Sequence, residues 1–129
     1  MTTPIKALIV EADNSSAHQI KKIIEENGFE TASVATNGMA ALQAVTSSHF
    51  DLAIIDFGLP NSWSDTVLHA LSKKEVPASL VLLYLPEADD LQQLKEKFPE
   101  AAFLPKPYSA TSLISAASKA LQGYSTVIS

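Results

Sequence analysis

The chain has 129 residues, 47% of them hydrophobic and 18% charged, which fits one globular domain with a real core and not a disordered segment. A net charge of −5 offers no basic field for nucleic acid or an anionic membrane surface. With no cysteine, disulfides, thiol nucleophiles and cysteine–zinc sites are excluded, which suits an intracellular setting. The start, Met1-Thr2-Thr3-Pro4-Ile5-Lys6, lacks the charged region and apolar core of a signal peptide, so none is expected. No apolar run approaches the roughly 20 residues that span a bilayer.

Short apolar runs alternate with helix-period segments. Ala7-Leu8-Ile9-Val10 reads as a strand buried on both faces, and Asn14-Ser15-Ser16 offers caps for a helix carrying Ile20, Ile23 and Ile24 on one side. Asn27-Gly28 stops that helix, glycine being suited to the left-handed position after a helix. Thr31–Ala35 is a weaker strand, Asn37-Gly38 a turn, and Ala41, Leu42 and Val45 mark a second helix. Leu52–Ile55 is the third strand, followed by a short helix with Val67, Leu68 and Leu71 inward. Leu80–Leu85 is the fourth strand, ended by Pro86, and Leu91, Leu94 and Phe98 mark the fourth helix, ended by Pro99. Ala101–Leu104 is the fifth strand. Ser109 caps a last helix with Leu113, Ile114, Ala117 and Leu121 on one face. Residues 1–123 are thus read as one domain and 124–129 as a polar tail or linker.

Five strand–helix units with continuous apolar strands predict an α/β fold, a parallel sheet covered on both faces by helices. In such sheets ligands bind beyond the carboxyl ends of the strands, where the strand order reverses. The strand exits carry the chemistry: Glu11 and Asp13 after the first, Asp56 after the third, Lys106 after the fifth. Asp56 is the most informative, because a carboxylate closing an apolar run costs free energy unless it is paired or used. The plainer reading is a turn former or helix cap, a common role for Asp at a strand end.

Acids on neighbouring strands can hold a hard divalent cation through oxygen, and a lysine from a flanking strand can offset arriving negative charge. Together they are the equipment for phosphoryl transfer to an aspartate, with the carboxylate as nucleophile and the ammonium on phosphoryl oxygens. Gly28, Gly38, Gly58 and Gly123 stand singly, so no glycine-rich phosphate loop is present and a flavodoxin-like cofactor binder lacks its motif. His18, His49 and His69 share no metal-like spacing and read as solvated residues.

Three segments in order, Lys6-Ala7-Leu8-Ile9-Val10-Glu11, Asp56-Phe57-Gly58-Leu59-Pro60 and Phe103-Leu104-Pro105-Lys106-Pro107-Tyr108, each meet a strand exit. From Lys6 to about Leu121 the chain resembles the receiver domain of bacterial two-component response regulators, the CheY-like family. The resemblance implies a (βα)5 doubly wound five-stranded sheet in the order 2-1-3-4-5, a non-enzymatic cytoplasmic signalling role, and phosphorylation on Asp56 by a histidine kinase or phosphotransfer protein. It implies Lys106 as the lysine that contacts the phosphoryl group. It places Mg2+ on Glu11, Asp56 and the Gly58 carbonyl, with Asp13 as a further candidate ligand. It implies Phe103 as the aromatic switch, Pro107 after a cis bond, and output through the face formed by helix four, strand five and helix five. A downstream protein would dock on 88–121, homodimerisation is open to that surface, and neither nucleic acid nor membrane is a direct partner.

The match departs from the pattern at three places. The family has two adjacent acids where this chain has Glu11-Ala12, so Ala12 removes a direct Mg2+ ligand and weakened Mg2+ binding is expected; Asp13 better suits capping the first helix. The small hydroxyl residue expected at the end of strand four is replaced by Tyr84 on a gap-free count back from Lys106, or by Leu85 after a one-residue slip. Ser64 stands where glycine is usual, next to Trp63, which reads as an anchor for helix three or as a partner contact. Two readings follow: a phospho-accepting receiver, and a degenerate receiver that works as a protein-interaction module.

Overall fold

The apolar runs of the central strands feed two cores at once. In the computed structural model, which describes residues 4–57, 63–74, 78–86, 91–122 and 126–127, the strands are β1 (Lys6–Val10), β2 (Glu30–Ala35), β3 (Leu52–Asp56), β4 (Ser79–Tyr84), β5 (Ala102–Pro105) and β6 (Thr126–Val127). All pair in parallel, in the order β2-β1-β3-β4-β5-β6. The helices are α1 (Asn14–Glu26), α2 (Gly38–Ser47), α3 (Trp63–Ser72), α4 (Leu91–Lys97) and α5 (Ala110–Leu121).

Successive residues on a strand point to opposite faces, and the two cores follow that alternation. Ala7 and Ile9 of β1, Leu52 and Ile54 of β3, and Val81 and Leu83 of β4 pack under α1 and α5. Their neighbours Leu8 and Val10, Ala53 and Ile55, and Leu82 and Tyr84 pack under α2, α3 and α4. A sheet covered on both faces needs strands without polar interruptions, which is why the runs are continuous.

The first four strands in space, β2-β1-β3-β4, reverse direction of winding at β1 and β3, so the exits of those two strands flank the crevice where such sheets bind ligands. The expected order of five strands is present. Beyond it, Thr126–Val127 pairs with Ala102 and Phe103 at the edge of β5, within the segment read from sequence as a tail or linker. Two residues are too few to show a period, so only the paired backbone reveals this strand.

Element ends differ by a residue or two from the sequence reading. Of the two capping candidates read from sequence, Asp13 and the Asn14–Ser16 stretch, the N-cap of α1 is Asp13: its Oδ2 accepts from the Ser16 amide at 2.8 Å. Ser109 caps α5 in a reciprocal capping box with Ser112. Gly28 adopts φ +90° just after α1, the left-handed conformation that glycine adopts without strain. Strand β4 ends at Tyr84; Leu85 is already 56% exposed. Among the described residues no helix is long and apolar enough to cross a membrane.

Candidate functional site

Strand geometry brings the three charged exits together. Asp56 is the last residue of β3, opposite Leu83 of β4, and is 6% exposed. Glu11 follows β1, held by its own amide on the Ala35 carbonyl at 3.0 Å, and is 3% exposed. Lys106 follows β5, and its amide donates to the Tyr84 carbonyl at 2.9 Å. Its Nζ lies 2.7 Å from Asp56 Oδ2 and 3.9 Å from Glu11 Oε2. The Lys106–Pro107 peptide bond is cis, as the family resemblance implied.

One lysine faces two buried acids. Glu11 Oε1 accepts from the Asp13 amide at 3.2 Å, while Oε2 is buried with no N–H or O–H donor among the described residues. Burial first, then the hydrogen bond and charge of Asp56, lift the Glu11 carboxyl from 4.5 to about 7; the Asp13 amide and Lys106 pull the other way. Two buried carboxylates beside one lysine do not both ionise readily, and Glu11 is the one that burial holds protonated to higher pH.

The cleft above these groups is lined by Glu11, Ser16, Gln19, Leu85, Pro86, Lys106, Pro107 and Tyr108. Burial, then the charges of Glu11 and Asp56, push the half-buried Tyr108 hydroxyl up to about 12, so it stays a neutral donor at its rim. A second groove at the opposite end of the strands, between Leu68, Leu71, Leu80, Phe98 and Leu121, has Lys97 and Glu100 as its ionisable lining among the described residues.

The remaining sequence candidates fall as follows. Ala12 is exposed and its side chain supplies no oxygen. Asp13 is engaged at the cap of α1, where Ser16 also donates its hydroxyl to Oδ2 at 2.7 Å, and these bonds hold its carboxyl below the usual range. Gly58 lies outside the described residues. Tyr84 and Phe103 share the core under α4, Tyr84 7% and Phe103 1% exposed; burial raises the Tyr84 hydroxyl's pKa. The gap-free count therefore places the tyrosine, not Leu85, at the strand end. His18, His49 and His69 are all exposed.

A cation at the crevice would find two buried carboxylates and one oxygen, Glu11 Oε2, still short of a partner. That donor set suits a hard oxygen-seeking ion, with fewer charges than a third acid at position 12 would give. Among the described residues no group of three or more His, Cys, Asp or Glu could hold a metal.

Two contacts were not legible beforehand. Ser64, buried in the first turn of α3, donates its hydroxyl to the Asp56 carbonyl at 3.0 Å. Trp63 lies over Gly38 so closely that a Cβ on Gly38 would overlap the indole. This supports the reading of Trp63 as the anchor of α3. The Asn37-Gly38 pair and the lone Trp were visible in the sequence, but not that they meet.

The model of the family described as "Response regulator receiver domain" matches residues 7–118. The chain belongs to the response regulator receiver family. This receiver is 32% identical over 108 residues to the sensory transduction protein RegX3 of Mycobacterium tuberculosis, covering 83% of this chain and 46% of that protein. It is 26% identical over 107 residues to a response regulator receiver protein of Anaeromyxobacter, covering 83% and 44%. It thus spans about half the length of these curated relatives. Among solved structures, the receiver domain of the Francisella response regulator 1452 superposes with a TM-score of 0.77 at 26% identity, over 92% of this chain and 97% of that one. A CheY-like receiver domain from Methylobacillus flagellatus gives 0.79 at 25% identity, over 92% and 99%. Receivers are signalling modules of two-component systems that interact with histidine kinases or phosphotransfer proteins and generally bind Mg2+. This one is atypical in having Ala12 in the acidic pair and Tyr84 at the end of β4.

Proposed function

We propose that this receiver accepts a phosphoryl group on Asp56 from a histidine kinase or phosphotransfer protein. The observation that carries the reading is the ion pair of Lys106 Nζ with Asp56 Oδ2 at 2.7 Å, inside the crevice formed by the exits of β1 and β3. A carboxylate oxygen of Asp56 attacks the donor phosphorus; the new O–P bond forms as the donor's N–P bond breaks, and the leaving imidazole takes up a proton. Lys106 gives its ammonium to the phosphoryl oxygens, where a preorganised charge does most for the transition state. Glu11, Asp56 and the Gly58 carbonyl would hold Mg2+, with Asp13 left to its cap, and the ion would supply further charge neutralisation there.

Downstream, Tyr84 and Phe103 would pass the change to the surface of α4, β5 and α5, within the stretch 88–121, where a partner protein or a second copy docks. Residues 88–90 of that stretch lie outside the described residues. Incubation with Mg2+ and acetyl phosphate or phosphoramidate, followed by intact mass, tests the reading. A single phosphoryl adduct that Asp56→Ala abolishes is expected; no adduct at millimolar Mg2+ would reject it.

Two observations favour a second reading, a degenerate receiver that works by protein contact with weak phosphorylation or none. Ala12 presents no ligand, and Tyr84 puts a rigid buried ring where a small hydroxyl would swing toward the phosphoryl group. The same adduct experiment separates the two.

A further inference from the structure

The Asp56–Phe57 peptide unit is held from both sides. Its N–H donates to the Leu83 carbonyl of β4 at 2.8 Å, and its C=O accepts the Ser64 hydroxyl at 3.0 Å. A peptide unit is planar, so two bonds on opposite edges set its tilt, and that tilt fixes the backbone from which the Asp56 carboxylate departs. The Ser64 hydroxyl is itself a fixed point: the residue is 3% exposed, and its neighbour Trp63 rests on Gly38 at the start of α2. From that backbone, Asp56 Oδ2 reaches Lys106 Nζ at 2.7 Å.

We infer that Ser64 is a positioning residue for the phosphoryl acceptor: its buried hydroxyl aims Asp56 by fixing the peptide that follows it. This rests on the reading of Asp56 as the acceptor. A rate that depends on in-line approach is sensitive to such aim, since a displacement of about 1 Å can cost about a hundredfold.

The test compares wild type, Ser64→Ala and Leu71→Val, the last a buried α3 residue away from the site chosen as a destabilised control. Melting temperatures confirm that the two variants are comparably weakened, and the adduct-formation rate with acetyl phosphate and Mg2+ is read by intact mass. We expect Ser64→Ala to slow adduct formation about tenfold or more while Leu71→Val stays within threefold of wild type. A Ser64→Ala rate within threefold of wild type, or an equal loss in the control, would overturn the inference.

If wild type itself forms no adduct, the acceptor reading falls separately. Aim is then read by nuclear magnetic resonance from the Asp56 carboxyl carbon and the Lys106 ζ-nitrogen and ε-carbon. Signals that move in Ser64→Ala but not in Leu71→Val uphold the positioning role; signals unchanged in both overturn it.

Discussion

Lys106 Nζ is 2.7 Å from Asp56 Oδ2 and 3.9 Å from Glu11 Oε2, so one lysine serves two buried acids and lies closer to Asp56. Lys106→Met removes the only cation in this contact set and leaves two buried carboxylates facing each other. Breaking a buried pair from one side costs about 3–5 kcal/mol, and the partial exposure of Lys106 reduces this to about 1–3 kcal/mol. Urea unfolding at pH 8 is expected to show that loss, and a smaller one at pH 5, where one acid is protonated.

Glu11 makes metal-free stability depend on pH in a stated direction. Its folded pKa of about 7 lies above the unfolded value of 4.5, so the folded state binds the extra proton between them. The associated stability is fully present below pH 4.5 and is lost as pH rises through 7. A shift of that size corresponds to about 3 kcal/mol. The difference in unfolding free energy between wild type and Glu11→Gln, measured in chelator from pH 4.5 to 8, should move by about 2–3 kcal/mol against wild type. A flat difference would contradict a Glu11 carboxyl raised by burial.

Ala12→Asp adds a third acid at the crevice. Mg2+ affinity, followed by Trp63 fluorescence, is expected to tighten by roughly tenfold, the scale on which edits around a metal change binding. The metal-free protein should be less stable than wild type, because the added carboxylate meets Glu11 and Asp56. Stability and affinity moving in opposite directions would mark Ala12 as the gap in the ligand set.

The Trp63–Gly38 contact leaves no room for a side chain. Gly38→Ala should displace the indole, lower stability by about 1–3 kcal/mol and red-shift Trp63 emission. In the double variant Gly38→Ala/Trp63→Ala the two losses should add to less than their sum, since both act on one contact.

Much of this was legible in the residues. The uninterrupted runs Ala7–Val10, Leu52–Ile55 and Leu80–Leu85 announced strands, though Leu85 itself lies past the end of β4, because a single polar residue within them would face a core. The charged residues Glu11, Asp56 and Lys106 stood out for the same reason: each ends an apolar segment where charge has to be used or paired. Ser109 and Gly28 declared helix ends through local chemistry, and Pro107 followed from its motif.

What the residues determined by themselves was what local period and cost of burial can encode: the order of elements, the two-sided sheet and which exits carry charge. Only the tertiary structure decided which groups meet. The closer approach of Lys106 to Asp56 than to Glu11, the Ser64 hydroxyl on the Asp56 carbonyl and the indole on Gly38 are set by strand register and helix docking. Those contacts join residues far apart or separated by a turn, and no periodicity along the chain specifies their distance. The same holds for β6, whose two residues are a strand only because the edge of β5 is there to pair with them.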